Sequence, residues 1–497
     1  MDAYAGLDVG TSSCKLLVYD LDGNVLYQTA CYYQESGTSG FRELDPEIVK
    51  AGVYSVLEKV GKECSVPIAA LAVASLGESV VCLDRDDISL APSMLTGDSR
   101  GIPETDELIE RIGSQAIFEM TGLPPNELYS LPKWMWLNRN SDVINRSDKI
   151  FFYEDYVGYL LTGKRCVSYT SASRSMAFDI RRNDWSSELL SLAGIKVAQM
   201  SKPVRSGTMI GTILPESASR FHLNPAMKVV AGGHDQSCAA LGSGVLDKET
   251  AECSMGTCEF MLLPLPTILA TLYMIENNFT CIPYVLPDIY LTSLEVTTCG
   301  ILKNWAKNLF FQSAEAAYQA KGKNFFSDYI DPKIKGMRTN VLALPQFGSA
   351  GNPDLSMDAW GTITGLTIHT QPEEIFCALI EGVSFQLYLA YQRLKMLDIG
   401  IKRIVCTGGG AVSDVTLNIR ANIFNMDVQR LESKEAGTLG CMLLAATGSN
   451  AYASLEEGIR RAVRIQQTFH PDGADAAWYR EKFKKYQDLY DRMHDFH

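Results

Sequence analysis

One short pattern occurs twice in this chain and narrows its fold more than any other feature. Residues 6–20 read GLDVGTSSCKLLVYD and residues 251–263 read AECSMGTCEFMLL. In each, a strand-like run meets a Gly-Thr turn and returns as a second strand-like run, apolar enough to be buried. The first copy places Asp8, Gly10, Thr11, Ser12, Ser13 and Lys15 in and around its turn. Turn chemistry by itself explains Gly, Ser, Thr and Asp there. An anion site explains them too. Backbone N–H groups of such a turn point at phosphate oxygens, Lys15 adds a cation, and Asp8 can hold the metal that accompanies a nucleotide. The second copy, with Gly256 and Thr257 in the matching place, favours the anion site, because a polyphosphate between two domains needs donors from both sides.

At 497 residues the chain is too long for one ordinary core. We read two α/β halves, residues 1–246 and 247–497, each opening with a strand–Gly-Thr–strand hairpin, with a ligand cleft between them. Between the hairpins, helical periodicity covers about 104–120, 131–141 and 151–162, while 69–86 reads as strand, glycine turn and strand. A long helix is expected from about 373 to 397, followed by a strand at 402–408.

Bulk properties remove several function classes. A net charge of −13 argues against nucleic acid or an anionic membrane as partner, since both need basic surface. The longest uncharged run, FMLLPLPTILATLYMI at 260–275, is short for a bilayer span and is interrupted by Pro264 and Pro266. The strand pattern begins almost at residue 1, so no signal peptide is expected. Thirteen scattered cysteines without a CxxC pair suit reduced thiols in a cytoplasmic protein, and six histidines without HExxH argue against a zinc enzyme.

Two further elements carry chemistry. TGGGAVSD at 407–414 follows a strand and opens a helix, so Gly409 and Gly410 let a ligand approach the backbone and the helix start favours negative charge. It lacks the GxGxxG spacing of a dinucleotide site, and the chain has no GxxxxGK[ST] loop. GGHDQ at 232–236 sets Asp235 where a buried strand gives way to a helix. Asp235 there is either a helix cap or a carboxylate able to take a proton from a substrate hydroxyl.

These pieces, with GTITGLTIHTQPEEIFCALIEG at 361–382 and EAGTLGCMLLAATG at 435–448, stand in an order that resembles the FGGY carbohydrate kinase family, which includes glycerol kinases and xylulokinases. The resemblance covers residues 6 to about 448. It implies two duplicated actin-like (ribonuclease H-like) domains and transfer of the ATP γ-phosphoryl to a hydroxyl of a small sugar or polyol. Matched by position, Gly10, Thr11, Ser12 and Lys15 belong to the phosphate side with Gly256 and Thr257. Gly300, Gly409, Gly410 and Asp414 line the adenosine side, and asparagine stands at the place of Asp414 in glycerol kinase-like members. Asp8 lies near Mg²⁺, and Asp235 matches the catalytic base. Gly77, Glu78, Asp98, Asp235 and Gln236 fall on the acceptor segments. Xylulokinases carry Gln-Met-His-Gly near Gly77 and glycerol kinases carry Arg-Glu. This chain keeps the glutamate and lacks the arginine. Gln236 is glycerol kinase-like, and Gly97 departs from the usual Trp or Leu.

The resemblance also admits a homodimer. Two other classes stay open at this level: an actin-like ATPase, and a sugar- or nucleotide-binding regulatory protein without turnover. For Glu78 the plain alternative is a solvated loop charge.

Overall fold

A computed structural model describes residues 2–37, 41–356 and 358–494. The first sheet is built from β1 (Ala3–Val9), β2 (Ser13–Tyr19), β3 (Val25–Tyr32), β4 (Ile68–Ser75), β5 (Met209–Thr212) and β6 (Lys228–His234), in spatial order β5-β6-β4-β1-β2-β3. β1 and β2 form the expected hairpin, with Asp8 opposite Lys15. On the other side of β1, β4 and then β6 run parallel. Both hairpin strands are almost wholly buried, as their apolar runs require.

The second sheet repeats this plan. Its strands are β7 (Thr250–Met255), β8 (Glu259–Leu265), β9 (Ile282–Pro283), β10 (Tyr290–Val296), β11 (Arg403–Thr407), β12 (Asp427–Leu431) and β13 (Ile465–Phe469), ordered β9-β10-β8-β7-β11-β12-β13. β7 and β8 are the second hairpin, β10 extends it antiparallel, and β11 and β12 run parallel on the far side. Apart from the extra edge strand β9, the two sheets correspond strand for strand, which is the duplication suggested by the repeated hairpin.

Five helices matter for the site: α1 (Asp235–Gly242), α2 (Gly300–Phe310), α3 (Pro372–Lys395), α4 (Asp414–Phe424) and α5 (Ala436–Gly448). α1 follows β6, and α5 follows the corresponding strand β12. They cross at glycines. A Cβ on Gly242 would lie 2.0 Å from the Ala436 carbonyl oxygen, and one on Gly440 would lie 1.9 Å from that of Cys238. Only glycine lets two backbones meet so closely. Among the described residues, α3 is the one helix long and apolar enough to cross a membrane, yet 83% of its apolar window is buried inside the protein. It is a core helix of the second half.

Local expectations need correction in two places. The helix expected over 104–120 is two helices, Ile102–Ile112 and Ser114–Thr121, broken at Gly113 with φ +89°. The stretch 151–162 begins as strand Lys149–Phe152 before its helix, Tyr153–Thr162. The strand, glycine turn and strand read over 69–86 are present as Ile68–Ser75 and Val80–Leu83, and Val80–Leu83 pairs with Lys149–Phe152. The chain turns away at Glu78, whose φ of 60° lies in the left-handed region.

Candidate active site

The first hairpin turn is closed by the Gly10 N–H donating to the Ser13 carbonyl at 2.9 Å, and the Tyr33 hydroxyl donates to the Gly10 carbonyl at 2.7 Å. Thr11 is half-buried and Ser12 exposed. Beneath the turn, Asp8 Oδ1 is buried without a hydrogen-bond partner. Burial pushes the Asp8 carboxyl up to about 6, Lys15 opposing and Glu435 adding to the rise. An unpaired carboxylate oxygen below a phosphate-type turn fits Mg²⁺, which typically takes one or two carboxylates and completes its shell with substrate phosphates and water. No cluster of three or more His, Cys, Asp or Glu able to hold a metal occurs among the described residues.

The second hairpin is locked to its neighbours. The N–H groups of Cys299 and Gly300 donate to the Thr257 carbonyl at 3.1 and 2.9 Å, and a Cβ on Gly300 would lie 2.7 Å from the Gly256 carbonyl oxygen. Gly408, at φ +80°, packs against the carbonyl of Met255 on the same hairpin. Gly256, Thr257, Gly300, Gly409 and Gly410 are thereby gathered on one surface. Behind them, fully buried Arg420 on α4 pairs with Glu259, and Cys299 donates to Glu259 at 2.8 Å. Asp414, at the start of α4, accepts from Arg430 at 2.5 Å, and the same guanidinium donates to the carbonyls of Ala411 and Val412 at 2.7 and 3.1 Å. The acidic side chain thus helps fix the glycine loop.

Asp235 is the first residue of α1, with His234 at the cap position and no side-chain cap bond. Its Oδ1 accepts from the adjacent Gln236 N–H at 2.6 Å and lies 3.2 Å from His234 Nε2. A third of its side chain, 34%, stays exposed. Its carboxyl is pushed up to about 7, first by desolvation and then by the charge of Asp8. The two carboxyls therefore share one space. His234 is pulled down to about 3 by burial and by Arg174, so it is a neutral imidazole near pH 7 and contributes no charge to Asp235.

Glu78 is not a solvated loop charge. Its side chain is 4% exposed. Oε1 accepts from Arg174 Nε at 2.6 Å and Oε2 accepts from the Thr96 hydroxyl at 3.0 Å. Burial opposes its ionisation, and Arg174, helped by Lys133, nonetheless holds it below the usual carboxylate range. Asp98 is fully buried, accepting from the Arg42 and Arg100 N–H groups at 2.9 and 3.1 Å and from the Arg100 guanidinium at 2.8 and 2.7 Å. Its oxygens are committed to shaping that loop. Gln236 Oε1 and His234 Nδ1 are buried and unpartnered, like Asp8 Oδ1.

Three residues at this wall were not singled out by sequence reasoning. Arg174 caps a five-residue helix in a serine-rich stretch with no periodic signal. Its guanidinium lies 5.2 Å over the ring of Tyr129. Glu295 comes from the second half, and its only sequence signal is a charge inside the otherwise strand-like YLTSLEV. Burial pushes the Glu295 carboxyl up to about 7, Arg174 opposing and Glu78 adding to the rise.

The N-terminal-domain profile of the FGGY family of carbohydrate kinases matches residues 3–242, and the C-terminal-domain profile matches residues 251–449. The chain belongs to the FGGY family of carbohydrate kinases. It is thus a phosphotransferase. A xylulose kinase from Lactococcus lactis subsp. lactis is 27% identical over 497 residues, covering 98% of this chain and 96% of that protein. A gluconokinase from Bacillus subtilis is 24% identical, covering 89% and 87%. A ligand-bound xylulose kinase structure from Lactobacillus acidophilus superposes with a TM-score of 0.88 at 24% identity over 99% of this chain and 98% of the other. FGGY kinases have the actin-like, ribonuclease H-like fold, which accounts for the two matching sheets. ATP is the family's phosphate donor.

Proposed function

We propose that this FGGY kinase phosphorylates a hydroxyl of a small sugar or polyol in the cleft between residues 1–246 and 247–497, with Asp235 as general base. The observation that carries the reading is the shared space of Asp235 and Asp8. Their strands are separated only by β4, with Asp8 opposite Ala74 and Ala74 opposite Gly233, the charge of Asp8 raises the Asp235 carboxyl, and the Gly-Thr hairpin lies directly above Asp8. On the nucleotide side, Gly10, Thr11, Ser12 and Lys15 meet one end of the polyphosphate and Gly256 and Thr257 the other. Gly300, Gly409, Gly410 and Asp414 line the adenosine.

Phosphoryl transfer asks mainly for positioning and electrostatic neutralisation. Asp8 holds Mg²⁺, which supplies part of that neutralisation when bound. Asp235, with a carboxyl pushed up to about 7, is matched to accepting a hydroxyl proton near neutral pH. Gln236 and Glu78 orient the acceptor, and Asp98 acts through the loop it shapes. Closure of the cleft keeps water from competing as acceptor. The thirteen cysteines are all free thiols, consistent with a cytoplasmic setting.

The test is a screen of polyols, ketopentoses and deoxysugars with ATP and Mg²⁺, following ADP formation and identifying the phosphate ester by NMR. Acceptor-dependent ADP formation with a matching ester is expected. Binding of ATP without turnover on any acceptor would leave a nucleotide-binding protein and remove the kinase reading.

A further inference from the structure

His234 and Asp235 meet where β6 gives way to α1, and the backbone there is fixed from several sides. The pairing of β6 with β4 takes in an extra residue between Val230 and Gly233, and a bulge of this kind re-aims the side chains beside it. Thr170 holds the bulged end. Its hydroxyl oxygen accepts from the His234 N–H at 3.1 Å and would lie 2.6 Å from a Cβ on Gly233. The same hydroxyl lies 2.9 Å from that of Ser168, which donates to buried Glu154 at 2.7 Å. Gly77 then sets the ring. A Cβ there would lie 2.9 Å from His234 Cδ2 and 3.0 Å from Nε2, so the imidazole occupies the space that any side chain at 77 would take.

With the ring so placed, Nε2 lies 3.2 Å from Asp235 Oδ1, within hydrogen-bond reach, and Nδ1 is buried without a partner. His234 is neutral near pH 7 and so carries a single ring N–H. A proton on Nδ1 would bury an unsatisfied donor and set the Nε2 lone pair against the carboxylate. The proton therefore belongs on Nε2. Oδ1 then accepts from both the Gln236 N–H, at 2.6 Å, and the imidazole. That leaves Oδ2 for an acceptor hydroxyl. An uncharged donor also fixes the carboxylate with less loss of basicity than a cation would cause. His234 stands at the cap position of α1 and makes no side-chain cap bond, so capping does not account for it.

We propose that His234 is a positioning residue for Asp235: its Nε2–H holds Oδ1, turns Oδ2 toward the acceptor hydroxyl, and depends on Gly77 for its seat. The proposal rests on the kinase reading of Asp235 and adds the group that orients the base.

Kinetics are measured on wild type, His234→Gln, His234→Asn, Gly77→Ala and the double variant Gly77→Ala/His234→Asn, with ATP and the best acceptor of the screen. Glutamine carries its amide nitrogen as many bonds from Cα as Nε2. Asparagine carries its own at the place of Nδ1, where it cannot reach Oδ1. Asparagine is also a good cap residue, so His234→Asn should keep Tm near wild type. It should lose roughly tenfold or more in kcat, the scale of a hydrogen bond to a charged group, with KM for acceptor and for ATP nearly unchanged. His234→Gln should recover most of that loss. Gly77→Ala should lower kcat by displacing the ring, and should add little beside His234→Asn. A kcat near wild type in His234→Asn, equal losses in the Asn and Gln variants, a loss confined to KM, or additive effects of the two substitutions would each overturn the proposal, while an active wild type keeps the kinase reading. If wild type forms no phosphate ester from any acceptor, both fall together.

Discussion

Lys15 and Glu435 stand 420 positions apart in the chain and meet at 2.9 and 3.1 Å in the fold. The contact joins the strand returning from the first phosphate turn to the residue that precedes α5. Both groups also bear on Asp8, with opposite signs. The two side chains are 35% and 33% exposed, so solvent screens the pair and its share of stability is small, about 1 kcal/mol or less.

Its value for nucleotide binding is separable from that small tie. Lys15→Met should lower the affinity for a non-hydrolysable ATP analogue by roughly tenfold, the loss of one charge-assisted contact, while Tm moves little. Glu435→Gln frees Lys15 and should leave that affinity intact or improve it. Calorimetric titration of both variants decides. Equal affinities in wild type and both variants would make Lys15 a structural tie and nothing more.

The crossing of α1 and α5 makes a second claim testable. With a Cβ on Gly440 only 1.9 Å from the Cys238 carbonyl oxygen, Gly440→Ala must push two backbones apart. The expected destabilisation lies at or above the top of the roughly 1–3 kcal/mol range for overpacking. A Cβ on Gly409 meets nothing within 4 Å, so Gly409→Ala should leave stability near wild type. Thermal denaturation of the two variants checks the pair. A harmless Gly440→Ala would mean that the helices do not cross at this distance.

Glu252 yields a pH prediction. It is fully buried on β7, accepts from the Thr407 hydroxyl at 2.8 Å, and has its other oxygen unpartnered. Burial pushes its carboxyl up to about 8, despite the Thr407 bond. An unfolded glutamate titrates near about 4.3, so the native state binds the extra proton between these values. The stability from neutral Glu252 is fully present below the unfolded value and is lost as pH rises through about 8, by up to about 1.4 kcal/mol per unit. Glu252→Gln removes this dependence. Its stability relative to wild type should climb steadily between mildly acid and mildly alkaline pH in denaturant melts. A constant difference across that window would show that Glu252 titrates as an ordinary carboxylate.

What could be read in the sequence follows from how local each signal is. The two hairpins were legible because a Gly-Thr turn between apolar runs is a contiguous pattern, and Asp235 because strand, glycine pair and helix start adjoin it. The expected helix at 373–397 agrees with α3 at both ends to within two residues, since its apolar face recurs over many turns. Gly113 was hidden inside a helical period that continues on both sides of it. Arg174 and Glu295 were not legible, because their meaning depends on Glu78, which lies 96 positions from Arg174 and in a different half from Glu295. For Glu78, placed on the acceptor segment, a solvated loop charge stayed open as the alternative for the same reason. Its burial is produced by partners that only tertiary structure supplies.

The central claim is that Asp235 accepts the proton of the acceptor hydroxyl. Asparagine at 235 keeps the size and can still bond the Gln236 N–H, but it cannot act as a base. Asp235→Asn should therefore keep Tm and ATP affinity near wild type and lose roughly 10²–10⁴ in kcat. The remaining wild-type rate should rise with pH through about 7, as the carboxyl ionises. All three quantities are best measured on one preparation with the best acceptor from the screen. A kcat near wild type in Asp235→Asn would contradict the account and leave the family kinase fold without its assigned base.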